Sequence, residues 1–504
     1  MNRIVLLNAP MDIIVDKRRF PPLGIASMAA LLRSKGYICD VIDGDLPEYR
    51  DVRNIIRRLT DYDLIGISVT IPSLPNAVVI AENVKKIREL PILLGGHCAT
   101  FMHEKIMEKY SCFDLIIRGE GESAIAAMCD DYFMHGTFTK TFDFVTSKDI
   151  NGQIKLANSI AVEEDVDSLP FPIRDEYEKY FDSNNNIMTI SSSRGYPYGC
   201  SFCSATNFRN KWIGRSPENV ADEVFGFYQK EKEFKIIFVD DNFYIDPERS
   251  VKILQEIEKK CHRSFEFVFA TRADQIINNG RAYLNVLKRY GCIEIEMGIE
   301  NGSDSVLKRY NKNITAEQNK LALKILRDLQ INSAIDYVLF DPETTRAELL
   351  ENIQFLKSAY LWGYDSPLIY ERIIAFPGTQ FTECHPDLYR DDCMVQSGLY
   401  FHDRQVLEIY RWLQEFRHSY QNKIDLLVWI IRSRYLIENN VPSCKNDLIW
   451  LKVLPYNLFD RLAQAQDEYK QVYETFILNN QISLRLQQYE LLYLYPEAFI
   501  DYGL

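Results

Sequence analysis

The residues with the clearest chemical signature are Cys200 and Cys203, in the stretch RGYPYGCSFC that runs from Arg194 to Cys203. A Cys-x-x-Cys pair on a turn can clamp an iron or zinc ion, or it can form a redox-active disulfide. A structural zinc site needs a second ligand pair, and no other two cysteines in the chain have this spacing. The redox role is typical of a thioredoxin-like setting, which the surrounding sequence does not match. The cysteine pair by itself therefore does not decide between a metal site and a redox-active disulfide.

The bulk composition narrows the class of protein. The 504 residues leave room for roughly two to four domains, and a net charge of −13 argues against nonspecific binding to nucleic acid. The start, MNRIVLLNAP, reads as a strand rather than a signal peptide. The most apolar stretch, IDLLVWII at 424–431, is too short to span a bilayer. We therefore expect a cytoplasmic protein with no membrane or nucleic-acid partner.

The first region, residues 1–160, alternates apolar strands with amphipathic helices. This pattern predicts a Rossmann-like or flavodoxin-like parallel sheet with helices on both faces. Four loops that follow its strands are rich in small and hydroxyl residues: NAP (Asn8 to Pro10), SVTIPSLPNA (Ser68 to Ala77), GGHCAT (Gly95 to Thr100) and RGEGES (Arg118 to Ser123). Because such strands end at one edge of the sheet, and small residues allow close approach, the loops predict a crevice for a large flat ligand. Simple tight turns are the alternative.

A second series of strands and helices follows a Pro-punctuated acidic linker at 161–182. Residues 183–385 contain about six βα units, of which PLIYERIIAFPGTQ reads as the last strand, and they predict a partial (β/α)6 TIM-like barrel. Residues 386–504 change to helical spacing and predict a C-terminal region of roughly three to five helices. The fold class is therefore α/β with a helical tail. Polar residues at the ends of the barrel strands are expected at one mouth: Arg194, Asp240, Asp241, Arg272, Glu300 and Asp341.

The motifs, taken in order, resemble the radical S-adenosylmethionine (radical SAM) superfamily. They are ISSSRGYPYGCSFCSATNF, GRSPENVADEV, IIFVDDNF, GIENGSDSVLKRYNKNIT, DYVLFDPETT and FPGT. Upstream, PPLGIASMAALL, ISVTIPSLPNA, GGHCATF and RGEGES are similar to the cobalamin-binding domain of the B12-dependent branch. The resemblance covers roughly residues 1–385. It implies a [4Fe–4S] cluster held by C-x3-C-x2-C on the loop after the first barrel strand, with SAM on the remaining iron and cobalamin at the edge of the first sheet.

The same resemblance implies an activity. In such enzymes the reduced cluster cleaves SAM, the deoxyadenosyl radical takes a hydrogen from an unreactive carbon, and methylcobalamin often donates a methyl group. Methyl transfer to a peptide or small natural product is the outcome that the resemblance favours, and cyclisation or rearrangement is also represented. An electron donor such as a flavodoxin or ferredoxin is an implied partner.

By position, Cys200 and Cys203 are the implied cluster ligands, and no catalytic residue is assigned. The implied SAM-binding residues, which as an alternative could simply cap strand ends, are Phe202, Asp240, Asp241, Asn242, Glu300, Asn301, Pro377, Gly378 and Thr379. The implied cobalamin-binding residues are Asn8, Pro10, Ser68, Thr70, Ser73, Asn76, Gly95, Gly96, His97, Thr100, Gly119, Glu120 and Glu122. The Asp-x-His-x-x-Gly loop that donates a histidine to cobalt in many B12 proteins is absent. His97 is a candidate neighbour of the cobalt or a hydrogen-bonding loop residue.

The sequence departs from the family where the first cluster cysteine belongs, because Tyr196 stands there. Three outcomes are open. The phenolate of Tyr196 could be the third ligand, although its pKa of about 10 would have to fall. A distant thiol or a small molecule could complete the site. Finally, no stable cluster could form, since a thiolate suits such iron better than a phenol. Two hypotheses follow: a B12-dependent radical SAM enzyme, or a cluster-deficient relative that binds cobalamin or SAM as an accessory protein.

Overall fold

A computed structural model describes residues 2–11, 20–49, 51–149, 151–175, 179, 186–365, 367–388, 400–437 and 442–494. The chain forms two compact units. The first comprises Met1–Thr271, Asn279–Glu296 and Ala375–Ser397, and the second comprises Arg272–Asn278, Met297–Ile374 and Gly398–Leu504. The predicted linker at 161–182 lies partly outside the described residues. The predicted domain boundaries at 160, 182 and 385 stay predictions.

The first unit begins with a seven-stranded sheet of order β2-β1-β3-β4-β5-β6-β7. Its strands are β1 (Arg3–Asn8), β2 (Ile38–Asp43), β3 (Leu64–Ser68), β4 (Ile92–Gly95), β5 (Leu115–Ile117), β6 (Val145–Lys148) and β7 (Ile154–Lys155). The first five run parallel, as predicted, while β6 and β7 add an antiparallel edge that the sequence analysis did not foresee. Short strands such as β7, with two residues, carry too little pattern to predict.

Five helices cover this sheet: α1 (Leu23–Ser34), α2 (Val52–Leu59), α3 (Leu74–Ile87), α4 (His97–Lys109) and α5 (Glu122–His135). Alternate residues of β1 enter opposite cores. Val5 and Leu7 pack with residues of α2, α3 and α4, whereas Ile4 and Leu6 pack with residues of α1 and α5. Burial of both faces explains why the strands read as continuous apolar runs rather than as alternating ones.

The second sheet has the order β14-β13-β12-β11-β8. Its strands are β8 (Ile187–Ile190), β11 (Lys235–Phe238), β12 (Phe267–Arg272), β13 (Cys292–Glu300) and β14 (Asn332–Tyr337), and the division between the two units falls within β13. In the first unit, β8, β11 and β12 pair in parallel. A separate two-stranded ladder joins β9 (Ser193–Arg194) to β10 (Ile213–Gly214) in antiparallel orientation. The predicted partial barrel of parallel strands is confirmed.

The last predicted strand of the barrel is the part that differs. Residues Leu368–Tyr370 form a 3-10 turn, and a single parallel bridge joins Phe340 to Arg372. Within the described residues, this bridge stands where the prediction placed a sixth strand. Pro367 and Pro377 flank the segment and donate no backbone hydrogen bond, which limits the ladder that it can form.

Helices complete both units. Those of the barrel region are α6 (Ala205–Phe208), α7 (Pro217–Lys230), α8 (Pro247–Cys261), α9 (Ala273–Arg289), α10 (Asp304–Arg309), α11 (Ala316–Asp328), α12 (Arg346–Ser358) and α13 (Gln380–Cys384). The described part of the tail contains α14 (Arg404–Phe416), α15 (Asn422–Ile437), α16 (Pro442–Gln464), α17 (Tyr469–Asn479) and α18 (Ile482–Leu494), in line with the predicted helical region. None of the described helices is both long enough and apolar enough to cross a bilayer.

The loop after α5 is held by a buried carboxylate. Asp131 accepts hydrogen bonds from the backbone N–H of Thr139 (2.6 Å) and of Lys140 (2.9 Å), and from the Thr139 hydroxyl (2.6 Å). Burial alone would raise the pKa of Asp131, but these donors lower it to about 2, from an ordinary value of 3.8. The ionised form therefore stabilises the folded state above pH 3.8, and this contribution is lost as the pH falls from 3.8 towards 2.

We expect Asp131→Asn to lower the free energy of unfolding by about 2 kcal/mol at pH 7, because hydrogen bonds to a charged group are lost. Urea unfolding monitored by circular dichroism at pH 7 and pH 3 measures this. The difference from the parent should shrink at pH 3. The neighbouring Asp130→Asn is the control: Asp130 is 43% exposed and pairs with Lys35, so its loss should cost under about 1 kcal/mol. Equal losses for the two variants would contradict the assignment.

Candidate functional site

A cavity of about 630 Å³ lies within the first unit. One wall is the carboxyl edge of the first sheet, where the chain leaves β3, β4 and β5. The opposite wall includes the strand ends of β8 and β11 and contributes Cys203, Asp240 and Asp241. The segment Leu169–Pro172 of the predicted linker adds an apolar surface. Cavities of this size that combine apolar walls with a few polar groups are typical of cofactor and small-molecule sites.

Glycines bring the backbone directly to the cavity on the side of the first sheet. A Cβ atom on Gly66 would lie 2.7 Å from a methyl carbon of Leu6, and one on Gly121 would lie 2.4 Å from the sulfur of Met28. Gly96 has φ +96°, a conformation that favours glycine. Gly95 and Gly119 also line the cavity on this side. These residues fit a large ligand that lies against backbone, which is the geometry that the loop compositions predicted.

The predicted cobalamin-binding residues fall into two groups. The cavity is lined by Ser68, Gly95, Gly96, His97, Gly119, Glu120 and Glu122. The others brace the loops behind this wall: the Asn8 amide donates to Asp43 and the Asn76 amide to the carbonyl of Pro10. Thr70 and Ser73 cap the turn that precedes α3. The hydroxyl of Thr100 donates to the carbonyl of Gly96 and accepts from the N–H of Gly119.

His97 sits in an aromatic cluster at the start of α4. Its ring lies 5.0 Å from Phe101, 6.4 Å from Phe376 and 5.9 Å from Phe208, which it faces at 11°. Burial lowers the pKa of His97 below its ordinary value of 6.5, so the imidazole is neutral at physiological pH. Among the described residues, neither ring nitrogen forms a hydrogen bond with the protein.

The Cys-x-x-Cys loop projects from the ladder between β9 and β10. The chain enters this loop at residues 194–196 and leaves it at residues 209–211, and we call these two facing segments its neck. They approach closely: Gly195 has φ +84°, and a Cβ atom there would lie 2.3 Å from the carbonyl oxygen of Lys211. The N–H of Tyr196 donates to the carbonyl of Arg209 across the neck (2.9 Å), and the N–H of Cys203 closes a turn onto Cys200 (3.1 Å). The loop thus has a defined shape built from the chain's own hydrogen bonds.

The loop presents two thiols and one phenol. Cys203 lines the cavity, Cys200 is buried, and Tyr196 is 7% exposed with its ring 5.2 Å from that of Tyr198. In the part of the chain that the structure describes, no three His, Cys, Asp or Glu side chains come together as a metal site. The side chains present in these residues therefore do not supply the three thiolates that a family-type cluster uses.

Three residues of the predicted SAM site, Asp240, Asp241 and Asn242, follow β11, and they differ in burial and in hydrogen bonding. Asp240 is buried and accepts hydrogen bonds from the N–H and hydroxyl of Ser192 and from the hydroxyl of Ser193, and burial raises its pKa. Asp241 opens onto the cavity. The side-chain carbonyl of Asn242 accepts from Thr271 (2.9 Å). The Asn242 amide nitrogen is buried and has no acceptor among the described residues, which fits a ligand that accepts a hydrogen bond there.

The segment Pro377–Thr379 contacts the Cys-x-x-Cys loop. The side chain of Asn207 donates to the carbonyl of Gly378, and the N–H of Phe381 donates to the carbonyl of Ser201 (2.8 Å). Thr379 itself caps α13 by accepting from the N–H of Thr382, and Pro377 and Phe202 are buried and half-buried, respectively. The segment Pro377–Thr379, which was predicted to bind SAM, therefore lies next to the Cys-x-x-Cys loop.

Glu300 and Asn301 belong to the second unit. Glu300 has φ +64°, which is unusual for a residue other than glycine and is the kind of backbone strain found at functional sites. Its carboxylate accepts from the ammonium of Lys312 (2.7 Å), and both side chains are buried. The Asn301 amide donates to the carbonyl of Val338 (2.8 Å).

Sequence reasoning missed the ionic contacts around the cavity. Glu223 is buried between Arg174 (2.5 Å) and Arg215 (2.7 Å). Arg209 reaches Glu120 (2.8 Å), and Arg194 reaches Glu122 (2.7 Å). The only available signal was the composition of the motifs RGEGES and SRGYPYGC, because the partners are far apart in the chain and nothing local specifies their pairing.

Comparison with known proteins agrees with this architecture. A B12 binding domain matches residues 12–128, and the radical SAM superfamily matches residues 190–356. Together these matches cover more than half of the chain. An uncharacterized methyltransferase of Pyrococcus horikoshii is 28% identical over 67% of this chain and 73% of its own. The hopanoid C-3 methylase of Methylococcus capsulatus is 25% identical over 72% and 68%, respectively.

A further relative is the anaerobic magnesium-protoporphyrin IX monomethyl ester cyclase of Rubrivivax gelatinosus, with 26% identity over 69% of this chain and 63% of its own. Among solved structures, the cobalamin-dependent SAM radical enzyme OxsB superposes with a TM-score of 0.76 at 19% identity, over 96% of this chain and 76% of its own. The radical SAM methyltransferase TsrM of Kitasatospora setae gives a TM-score of 0.59 at 14% identity, over 71% and 72%. These structures establish the likeness of fold. The chain is a member of the radical SAM superfamily that carries a B12 binding domain, with Tyr196 in the place of the first cluster cysteine.

Proposed function

We propose that this protein is a cobalamin-dependent radical SAM enzyme that transfers a methyl group from SAM to a carbon atom of a small molecule. The observation that carries the proposal is the cavity of about 630 Å³ in the first unit, which both domains line. Its glycine-lined wall comes from the B12 binding domain, and its opposite wall carries Cys203 and Asp241 from the radical SAM domain. A cofactor on one wall and SAM on the other would therefore share one space.

Residues of this chain have distinct parts in the proposal. Gly95, Gly96 and Gly119 would let a flat macrocycle approach the backbone. Asp241 and the buried amide of Asn242 would hold polar groups of SAM, one as a hydrogen-bond acceptor and the other as a donor. When bound, cobalamin supplies a cobalt centre that can carry a methyl group. Radical chemistry also needs an electron, and a flavodoxin or ferredoxin is the donor that we propose.

The substrate class is inferred from two features. Two of the relatives described above are named for a hopanoid and for a magnesium porphyrin ester, which are organic ring compounds. The cavity also has the apolar surface of Leu169, Pro170 and Phe171. We propose a small and largely apolar organic substrate, whose methylation would be detected as S-adenosylhomocysteine together with a product heavier by one CH2.

A second candidate is favoured by Tyr196 alone. A chain with two thiols at the cluster loop could bind cobalamin and SAM without cleaving SAM, as an accessory protein. The methyltransferase relatives argue for the enzyme. The two functions differ in one measurable respect, because only the enzyme releases S-adenosylhomocysteine or 5′-deoxyadenosine in the presence of a reductant.

Gly95→Leu tests whether cobalamin binds against the glycine-lined wall of the cavity. A Cβ atom at Gly95 meets only the carbonyl oxygen of Ile117, at 3.8 Å, so the backbone tolerates a side chain that then occupies the cavity. We expect its affinity for aquocobalamin, measured by absorbance titration, to fall at least about tenfold, a loss of roughly 1.4 kcal/mol of binding free energy. Gly226→Leu, on the exposed face of α7 with no atom within 4 Å of its Cβ, should bind like the parent. Unchanged binding by Gly95→Leu would contradict this location.

Tyr196→Cys tests the cluster loop. We expect this variant, after anaerobic reconstitution, to hold more iron and sulfide per chain than the parent and to release more 5′-deoxyadenosine from SAM, because a thiolate is a better ligand for this iron than a phenol. Tyr196→Phe keeps the ring and removes the hydroxyl, so it should match the parent. A parent that already holds a full cluster, and loses it in Tyr196→Phe, would instead make the phenol a ligand.

A further inference from the structure

Two arginines at the neck of the Cys-x-x-Cys loop are paired with carboxylates from the loop after β5. Arg194 Nη2 lies 2.7 Å from Glu122 Oε1, and Arg209 Nη1 lies 2.8 Å from Glu120 Oε2. Arg209 also donates to the carbonyl of Glu163 (2.9 Å). Both glutamates and Arg209 are buried, at 4% to 8% exposure. These contacts join segments about 70 to 90 residues apart in the chain.

The carboxylate of Glu122 is engaged by the protein through both oxygens, and that of Glu120 through Oε2. Besides Arg194, Glu122 accepts a hydrogen bond from the hydroxyl of Ser27 (2.8 Å). Glu120 accepts from the N–H of Glu163 and lies 3.6 Å from Arg194 as well. Although burial alone would raise the pKa of Glu122, the charge of Arg194 lowers it, so the carboxylate is ionised at neutral pH. With this many internal partners, the side chain of Glu122 has little capacity left for a cofactor.

The first sheet also holds the loop at the residue that precedes Arg209. The ring of Phe208, in α6, stacks on His97, which follows β4. Along the chain, Cys203 lies between Arg194 and Phe208, and Arg209 directly follows Phe208. The neck of the loop is therefore fixed by the segment after β5, and the residue that precedes Arg209 is fixed by the segment after β4. Both segments line the cavity.

We propose that Glu120 and Glu122 are positioning residues, which hold loop 195–208 and its Cys203 thiol against the cavity through Arg209 and Arg194, and that Glu122 does not ligate the cofactor. This inference rests on the proposed function only in taking the cavity as the cobalamin site. The ion pairs, the stack and the placement of Cys203 do not depend on which molecule occupies the cavity.

Glu122→Gln in the full-length chain tests the proposal with two readouts. The first is the rate at which iodoacetamide alkylates Cys203, followed on its peptide by mass spectrometry. We expect this rate to rise at least about fivefold, because loosening the loop increases the population of states in which the thiol is exposed. The second is the affinity for aquocobalamin, which should stay within about twofold of the parent because the carboxylate is not a ligand.

Several controls keep the result interpretable. Glu104→Gln changes an exposed glutamate on α4 and should leave both readouts unchanged. The exposed Cys384 reports reagent reactivity in the same sample. Glu122→Gln removes the nearest carboxylate from the half-buried Arg194 and leaves Glu120 at 3.6 Å, which could lower overall stability. Ser27→Ala therefore offers a milder change, which should raise labelling of Cys203 in the same direction at an unchanged melting temperature.

A double variant separates positioning from direct contact. If Glu122 acts through Arg194, Glu122→Gln with Arg194→Gln should label Cys203 no faster than the faster of the two single variants. Cobalamin affinity that falls tenfold in Glu122→Gln while labelling is unchanged would overturn the proposal, and so would the absence of any change in labelling. If the parent binds no cobalamin, the proposed function fails, but the labelling result still decides whether the glutamates hold the loop.

Discussion

The charge pairs between the loop after β5 and the neck of the Cys-x-x-Cys loop are the constraint on which the site depends. Glu120, Glu122 and Arg209 are buried, and Arg194 is half-buried. A buried charge is tolerated only when it is paired, and removing one partner is costly. These pairs therefore allow few other arrangements of the two loops, and they define where Cys203 lies relative to the glycines of the first sheet.

The cavity exists because the two loops are held in this arrangement and because glycines at the sheet edge have no side chains that would fill the space. Glycines at the carboxyl edge of the sheet leave room that side chains would otherwise fill, and the segment Leu169–Pro172 closes part of the opening with apolar surface. Most of the ionised side chains around this space are neutralised by partners within the protein, whereas Asp241 lines the cavity and the buried amide nitrogen of Asn242 has no acceptor among the described residues. Specific recognition of a polar ligand would thus rest on few groups, as is usual in sites of this size.

Tyr196 stands where the C-x3-C-x2-C motif of the superfamily has its first cysteine. The Cys-x-x-Cys loop keeps its shape through contacts of Gly195, Tyr196 and Cys203 with neighbouring backbone, so the geometry of the loop does not require three metal ligands. The shape of the Cys-x-x-Cys loop and the set of metal ligands that it offers are separate properties. The first follows from hydrogen bonds and packing, whereas the second depends on the chemistry of one side chain, and a phenol has a higher pKa than a thiol and suits iron–sulfur chemistry less well.

The amino-acid sequence by itself determined the parallel sheets, the order of the two domains, the thiol pair and the tyrosine beside it, because these depend on periodicity and on residues within one motif. It also predicted the glycine-rich edge from composition alone. It could not predict the two-residue strand β7 or the reduction of the last barrel strand to one bridge, since segments this short carry little pattern. Only the tertiary structure decided that Arg209 pairs with Glu120, 89 positions away, and that Asp240 is enclosed by serines while Asp241 faces the cavity. Such choices depend on packing between distant segments, which no local pattern encodes.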